Sequence, residues 1–227
     1  NRPLDLYYSS HTNDWNVYLA DSSVDFLEMT LKAALVLLDI QRGLLASDKI
    51  KFGDPQTPTS ALAAARTLLD AARRAGVPVV HVGVVRPHGR GTFDTARTQA
   101  AKASGKVPRD VLPMAAGTPD VDFLLDIAAG EEVIHKIGVS ALQGTRLDTL
   151  LRHLGADTLV LCGAFTHMVV DSTARQAFDS GYAVVIASDA CCAPAVGLHD
   201  NALATSLPNF ALVMSSAQVI ATFMAAS

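Results

Sequence analysis

Three places in the chain set chemistry-bearing residues at the ends of apolar runs. Asp39 closes "AALVLLD" (33–39), Lys136 closes "EEVIHK" (131–136), and "GAFTHM" (163–168) follows the run "TLVLC". A carboxylate ending an apolar strand is costly to bury without a partner, and Lys136 is the obvious one. On its own such a pair can be a satisfied ion pair and nothing more. The third stretch shifts the balance towards a site. A Gly-led turn with Thr166 as the expected helix N-cap would aim free backbone N–H groups of the next helix at the same cleft. Donors so placed stabilise an oxyanion or another developing negative charge.

These residues need a scaffold that brings strand ends together, and the pattern of the chain supplies one. Apolar, β-branched runs at 33–39, 77–84, 131–136, 158–163, 182–187 and 210–214 alternate with segments of helical period near 59–75, 145–154, 167–180, 197–206 and 216–225. That alternation predicts βαβ units and a parallel sheet. Gly76, Gly155 and Gly181 each fall where a left-handed helix C-cap is expected. Right-handed crossovers then carry the strand C-termini to one edge of the sheet, where open α/β folds bind their ligands. Residues 86–120 interrupt the rhythm with Pro, Gly and charged residues, and are expected to form a long irregular connection that walls the site.

Bulk properties narrow the class further. A chain of 227 residues, 50% of them hydrophobic, can bury one substantial α/β core. Its net charge of -4 comes with no basic stripe, so nucleic acid is not an expected partner. The apolar runs are far shorter than the roughly 20 residues a bilayer span needs, and the N-terminus lacks a secretory pattern. No membrane association and a cytoplasmic location are therefore expected. Cys162, Cys191 and Cys192 form an odd set with two adjacent members, a poor disulfide framework, and are read as reduced. Residues 1–28 carry Trp15, three of the four tyrosines, five acidic residues and a single basic one, Arg2. They account for the whole net charge, since the rest holds 17 basic and 17 acidic residues. We read 1–28 as an extension or appended tag and 29–227 as the main domain.

Four collinear stretches, "ALVLLDIQRG", "VIHKIGVSALQGT", "LVLCGAFTHMVVDSTARQAFDSGY" and "VVIASDACCAP", are similar to the isochorismatase-like hydrolase superfamily. The resemblance covers about residues 31–225. It implies a three-layer, Rossmann-like α/β sandwich with a six-stranded parallel sheet and helices on both faces. In the superfamily's amidohydrolases an Asp, a Lys and a Cys form a catalytic triad. By motif Asp39 takes the place of the Asp and Lys136 that of the Lys, while Val169 falls on the position of the Cys. The resemblance also implies a non-proline cis peptide at Ala164–Phe165, and an oxyanion turn of Ala164, Phe165, Thr166 and Val169 with the Phe165 and Val169 N–H groups as donors.

Valine can neither attack a carbonyl nor exchange a proton. Three readings follow. The first is a small-molecule hydrolase working through Asp39 and Lys136 without a thiol, as in vinyl-ether hydrolysis of the isochorismatase type. The second is a catalytically silent binding or assembly protein, and the third a Cys-dependent amidohydrolase inactivated at position 169. Cys162 is expected to be a buried hydrophobe, and Cys191 and Cys192 lie in the wrong element to replace the thiol.

Gln41, Arg86 and His167 are the substrate-binding candidates, with His88 beside Arg86 and Arg42 a lesser alternative to Gln41. His81 is expected as a packed core residue, and His135 is expected to point away from Lys136. The superfamily's metal-binding members place a His two residues after an Asp; "KFGDPQTP" offers Asp54 without it, so no metal and no cofactor are expected. A small-molecule substrate and a homo-dimer or homo-tetramer complete the expectations.

Overall fold

The computed structural model describes residues 32–48, 50–54, 57–87, 96–106 and 114–225, except the side chains of residues 97 and 98. The segment 1–28 and His88 lie outside the described residues. The strands are β1 (Ala33–Leu38), β2 (Val79–Val84), β3 (Glu132–Lys136), β4 (Thr158–Ala164), β5 (Ala183–Cys192) and β6 (Leu212–Met214). All neighbours pair in parallel, in the order β3-β2-β1-β4-β5-β6. The central strands β1 and β4 are buried along their whole length, which is why both read as continuous apolar runs.

Seven helices accompany these strands among the described residues: α1 (Arg42–Leu45), α2 (Thr57–Arg74), α3 (Ala96–Ala103), α4 (Leu147–His153), α5 (Asp171–Asp179), α6 (Val196–Asn201) and α7 (Ser216–Ala225). Right-handed crossovers on either side of β1 and β4 send α2 to one face of the sheet and α4 and α5 to the other. On the first face α2 packs against α7. On the second, Tyr182, just beyond α5, hydrogen-bonds Asp148 of α4. None of the described helices is long and apolar enough to cross a membrane.

The α/β sandwich is thus the expected one, with three local corrections. The 86–120 connection is not irregular throughout: "ARTQAAKA" forms α3, and a parallel bridge between Arg86 and Ala115 ties the two ends of the connection together. Strand five extends to Cys192, because Gly163 and Ala164 of β4 continue to pair with Cys191 and Cys192 beyond a bulge. The single helix expected at 197–206 is α6 followed by a wider π-type turn at Ala202–Ser206. The three glycine C-caps are in place, with φ of 69° at Gly76, 70° at Gly155 and 86° at Gly181.

Candidate active site

The strand order reverses direction between β1 and β4, and chains leaving that switch point on opposite faces open a crevice at the strand C-termini. Asp39 is the first residue after β1, and Gly163 and Ala164 end β4 beside it. Gly163 has φ 127°, and a β-carbon there would collide with the Leu38 carbonyl oxygen, so only glycine lets the two strand ends approach this closely. Asp39 itself has φ 53°, unusual for a residue with a side chain, and this turn takes its carboxyl out of the strand pleat.

Lys136 sits two strands away, at the end of β3. Two inter-strand spacings are about 10 Å, a gap that the long lysine stem must cross over β2. It does so: Lys136 Nζ donates to Asp39 Oδ2 at 2.8 Å and to the Gly138 carbonyl at 3.1 Å. Both residues are almost wholly buried, at 1% exposure for Asp39 and 2% for Lys136. Burial pushes the Asp39 carboxyl up to about 6, against the lowering pull of the Lys136 ammonium, the Val84 amide and the Arg86 charge. Asp39 Oδ1 is buried with no hydrogen-bond partner. The carboxyl therefore holds one oxygen fixed on an ammonium and the other free, with a proton affinity matched to neutral-pH acid–base work.

The peptide bond Ala164–Phe165 is cis, at the position the resemblance implied. It leads into a π-type turn at Thr166–Val170, in which the Met168 and Val170 N–H groups both donate to the Phe165 carbonyl. Phe165, not Thr166, is the N-cap. The Thr166 hydroxyl is drawn away from capping because it faces His199 of α6, with Oγ1 2.8 Å from Nδ1. Burial lowers the proton affinity of the His199 imidazole, against the opposing charge of Asp200. The sequence offered no signal for this residue, which lies 33 positions from its partner.

Val169 is buried in the turn at 6% exposure and packs into the main apolar core. Phe165 stands between His167, ring centroids 6.3 Å apart, and Phe52, 6.1 Å away, which gives the turn a partly exposed aromatic flank. Phe52 was not among the sequence candidates. His167 has Nδ1 buried without a partner, and burial lowers its proton affinity despite nearby Asp171.

Among the other candidates, Arg86 acts on Asp39 through its charge, its main chain fixed by hydrogen bonds to Met114 and Ala116. Gln41 does not offer its amide to the cleft. It is fully buried, and its side-chain amide hydrogen-bonds the main chain of Val84 and Val121. Arg42 is exposed, 3.8 Å from Asp122. His81 is buried as expected, but it also bonds Glu131 Oε2 at 2.9 Å; burial raises the Glu131 carboxyl, and the hydrogen bonds from Arg73, the Ala128 amide and His81 outweigh this and hold it below its ordinary value. His135 is exposed while Lys136 is buried, so the two do point to opposite sides.

All three cysteines are free and buried. Burial raises the Cys162 thiol well above its ordinary value and pushes Cys191 and Cys192 up to about 12. A thiol in that condition supplies almost no thiolate at neutral pH.

The Isochorismatase domain family matches residues 33–218. The chain is 34% identical over 202 residues to the uncharacterized isochorismatase family protein YecD of Escherichia coli O157:H7, covering 86% of this chain and 98% of that protein. It is 29% identical to the ureidoacrylate amidohydrolase RutB of Serratia proteamaculans, over 70% of this chain and 69% of that one. A solved structure of an isochorismatase family protein from Burkholderia thailandensis superposes with a TM-score of 0.72 at 28% identity, covering 86% of this chain and 96% of that chain.

Proposed function

The chain belongs to the isochorismatase family of hydrolases, and from that premise we propose that it hydrolyses a small molecule by general acid catalysis from Asp39, without a cysteine nucleophile. What supports this reading is Asp39 itself: Oδ2 rests on Lys136, buried Oδ1 has no partner, and burial raises the carboxyl to about 6. Val169, at the position the motifs align with the family's cysteine, contributes an apolar wall. None of the three thiols is placed or ionised to take over.

Vinyl-ether hydrolysis fits these parts. Asp39 delivers its proton to the terminal carbon of an enol ether, and water adds to the oxocarbenium carbon. That water's proton returns to Asp39, and the hemiketal collapses to an alcohol and a ketone, pyruvate in the case of an enolpyruvyl ether. Lys136 holds the carboxyl in place and offsets the negative charge left on it. Arg86 brings a positive charge to an anionic substrate, and the turn at Phe165–Val169 forms the opposite wall.

The test is hydrolysis of enolpyruvyl ethers such as isochorismate, followed by pyruvate release, beside simple amides. The protein should act on the former, and Asp39→Asn should lose at least about 100-fold in turnover while staying folded. Val169→Cys should gain no amidase activity. Unchanged turnover in Asp39→Asn, or strong amide hydrolysis by Val169→Cys, would remove Asp39-centred acid catalysis from consideration.

A further inference from the structure

Asp39 is where β1 leaves the sheet, and the ladder does not stop there. Its N–H still donates to the Val82 carbonyl at 2.7 Å, as the parallel pairing with β2 requires. The next rung of a parallel ladder would run from the Val84 N–H to the Asp39 carbonyl. Instead, Asp39 turns to φ 53° and its carbonyl accepts the Gln41 N–H at 2.8 Å. The Gln41 side chain fills the gap. Oε1 accepts the Val84 N–H at 2.8 Å, and Nε2 donates to the Val84 carbonyl at 3.2 Å and to the Val121 carbonyl at 2.8 Å.

A primary amide carries the same donor and acceptor as a peptide unit, so Gln41 stands in for the missing stretch of β1 backbone while the main chain swings away. Gly83 leaves room for it: a β-carbon there would lie 2.8 Å from Gln41 Nε2. The same Val84 amide lies near enough to the Asp39 carboxyl to lower its proton affinity. Its hydrogen bond nevertheless goes to Gln41, and Oδ1 keeps no partner.

We propose that Gln41 is a positioning residue for Asp39: by completing the β2 ladder with its own amide, it occupies the Val84 N–H and leaves Asp39 Oδ1 open for a proton and for substrate. Were Gln41 absent, that amide would no longer be shared with Oε1 and would act on the carboxylate alone, and hydrogen bonds to the charged form favour ionisation. Among the described residues, the charged groups acting on Asp39 are Lys136 from β3 and Arg86 from the segment after β2. The inference rests on the proposed acid role of Asp39 only for its purpose, since its test needs no turnover.

The experiment is a pH titration of the full chain labelled with 13C at the aspartate carboxyls, with the Asp39 resonance assigned by its loss in Asp39→Asn. Gln41→Met should lower the Asp39 midpoint by about one pH unit. Gln41→Asn, polar but one methylene too short to span to Val84, should shift it the same way and decides the matter if the Met variant does not fold. Gln41→Glu, which keeps an acceptor on the Val84 amide and adds a negative charge, should raise it. An unchanged or raised midpoint in the Met or Asn variant, or a lowered one in the Glu variant, overturns the proposal. An enzyme found inactive on every enol ether, with these shifts intact, would instead count against the acid reaction alone.

Discussion

Lys136 Nζ lies 2.8 Å from Asp39 Oδ2, across the width of β2, although 97 residues separate the two in the chain. The contact exists because β1 and β3 flank the same strand and both release their last side chain at the same edge of the sheet. Two charges are thereby removed from water together, an arrangement in which each is tolerable only while the other is present.

Removing the lysine should therefore make stability depend on pH. The folded-state proton affinity of Asp39 is raised from 3.8 to about 6, so its contribution to stability is full below the lower value and is lost as pH rises through the upper one. Lys136→Met takes away the ammonium that restrains this rise, so the carboxyl shifts further up and the loss extends to higher pH. Urea unfolding should show a deficit of roughly 3 kcal/mol or more at about pH 8 and a clearly smaller one at about pH 5, where Asp39 is neutral. Equal deficits at both pH values would show that the pair does not titrate as a unit.

The thiols should be silent. Cys162, Cys191 and Cys192 are buried, with their proton affinities raised, so iodoacetamide at about pH 8 should leave the folded chain unmodified by intact mass. In denaturant the same reagent should add three groups. Rapid modification of any one in the native protein would reveal a thiolate that burial does not permit.

Gly163→Ala should be among the most damaging single-methyl additions. The new β-carbon meets the Leu38 main chain, which has no side-chain freedom with which to yield, and φ 127° is unfavourable for alanine. A loss of more than about 3 kcal/mol in urea unfolding is expected. A near-neutral result would mean that β1 and β4 separate easily at the site.

Much of this was readable in the chain. Asp39 and Lys136 stood out because a charge ends an apolar run, and burial of both strands makes such a charge conspicuous. The glycine caps marked helix ends for an equally local reason. What escaped were properties that depend on distant parts of the fold. Gln41 reads as a cleft residue until the left-handed turn at Asp39 and the bare α-carbon of Gly83 convert its amide into a piece of ladder. Thr166 has the composition of an N-cap, yet His199 from another helix claims its hydroxyl. Strand five looked finished at Ala187 because Ser188 and Asp189 are polar. Both are spent on neighbouring segments, Ser188 on the Met214 carbonyl and Asp189 on capping Ser216 at the start of α7. The helix α3 was hidden by its own polarity, since "ARTQAAKA" has no apolar stripe to announce it.

A general acid must carry its proton before it can give it, and the pH dependence of kcat/KM reports that proton in the free enzyme. With an enolpyruvyl ether as substrate, kcat/KM should be level at low pH and fall about tenfold per pH unit above the Asp39 midpoint, near 6. A value that instead climbs through that range, as attack by an ionising nucleophile would make it, would mean that Asp39 is not the proton donor.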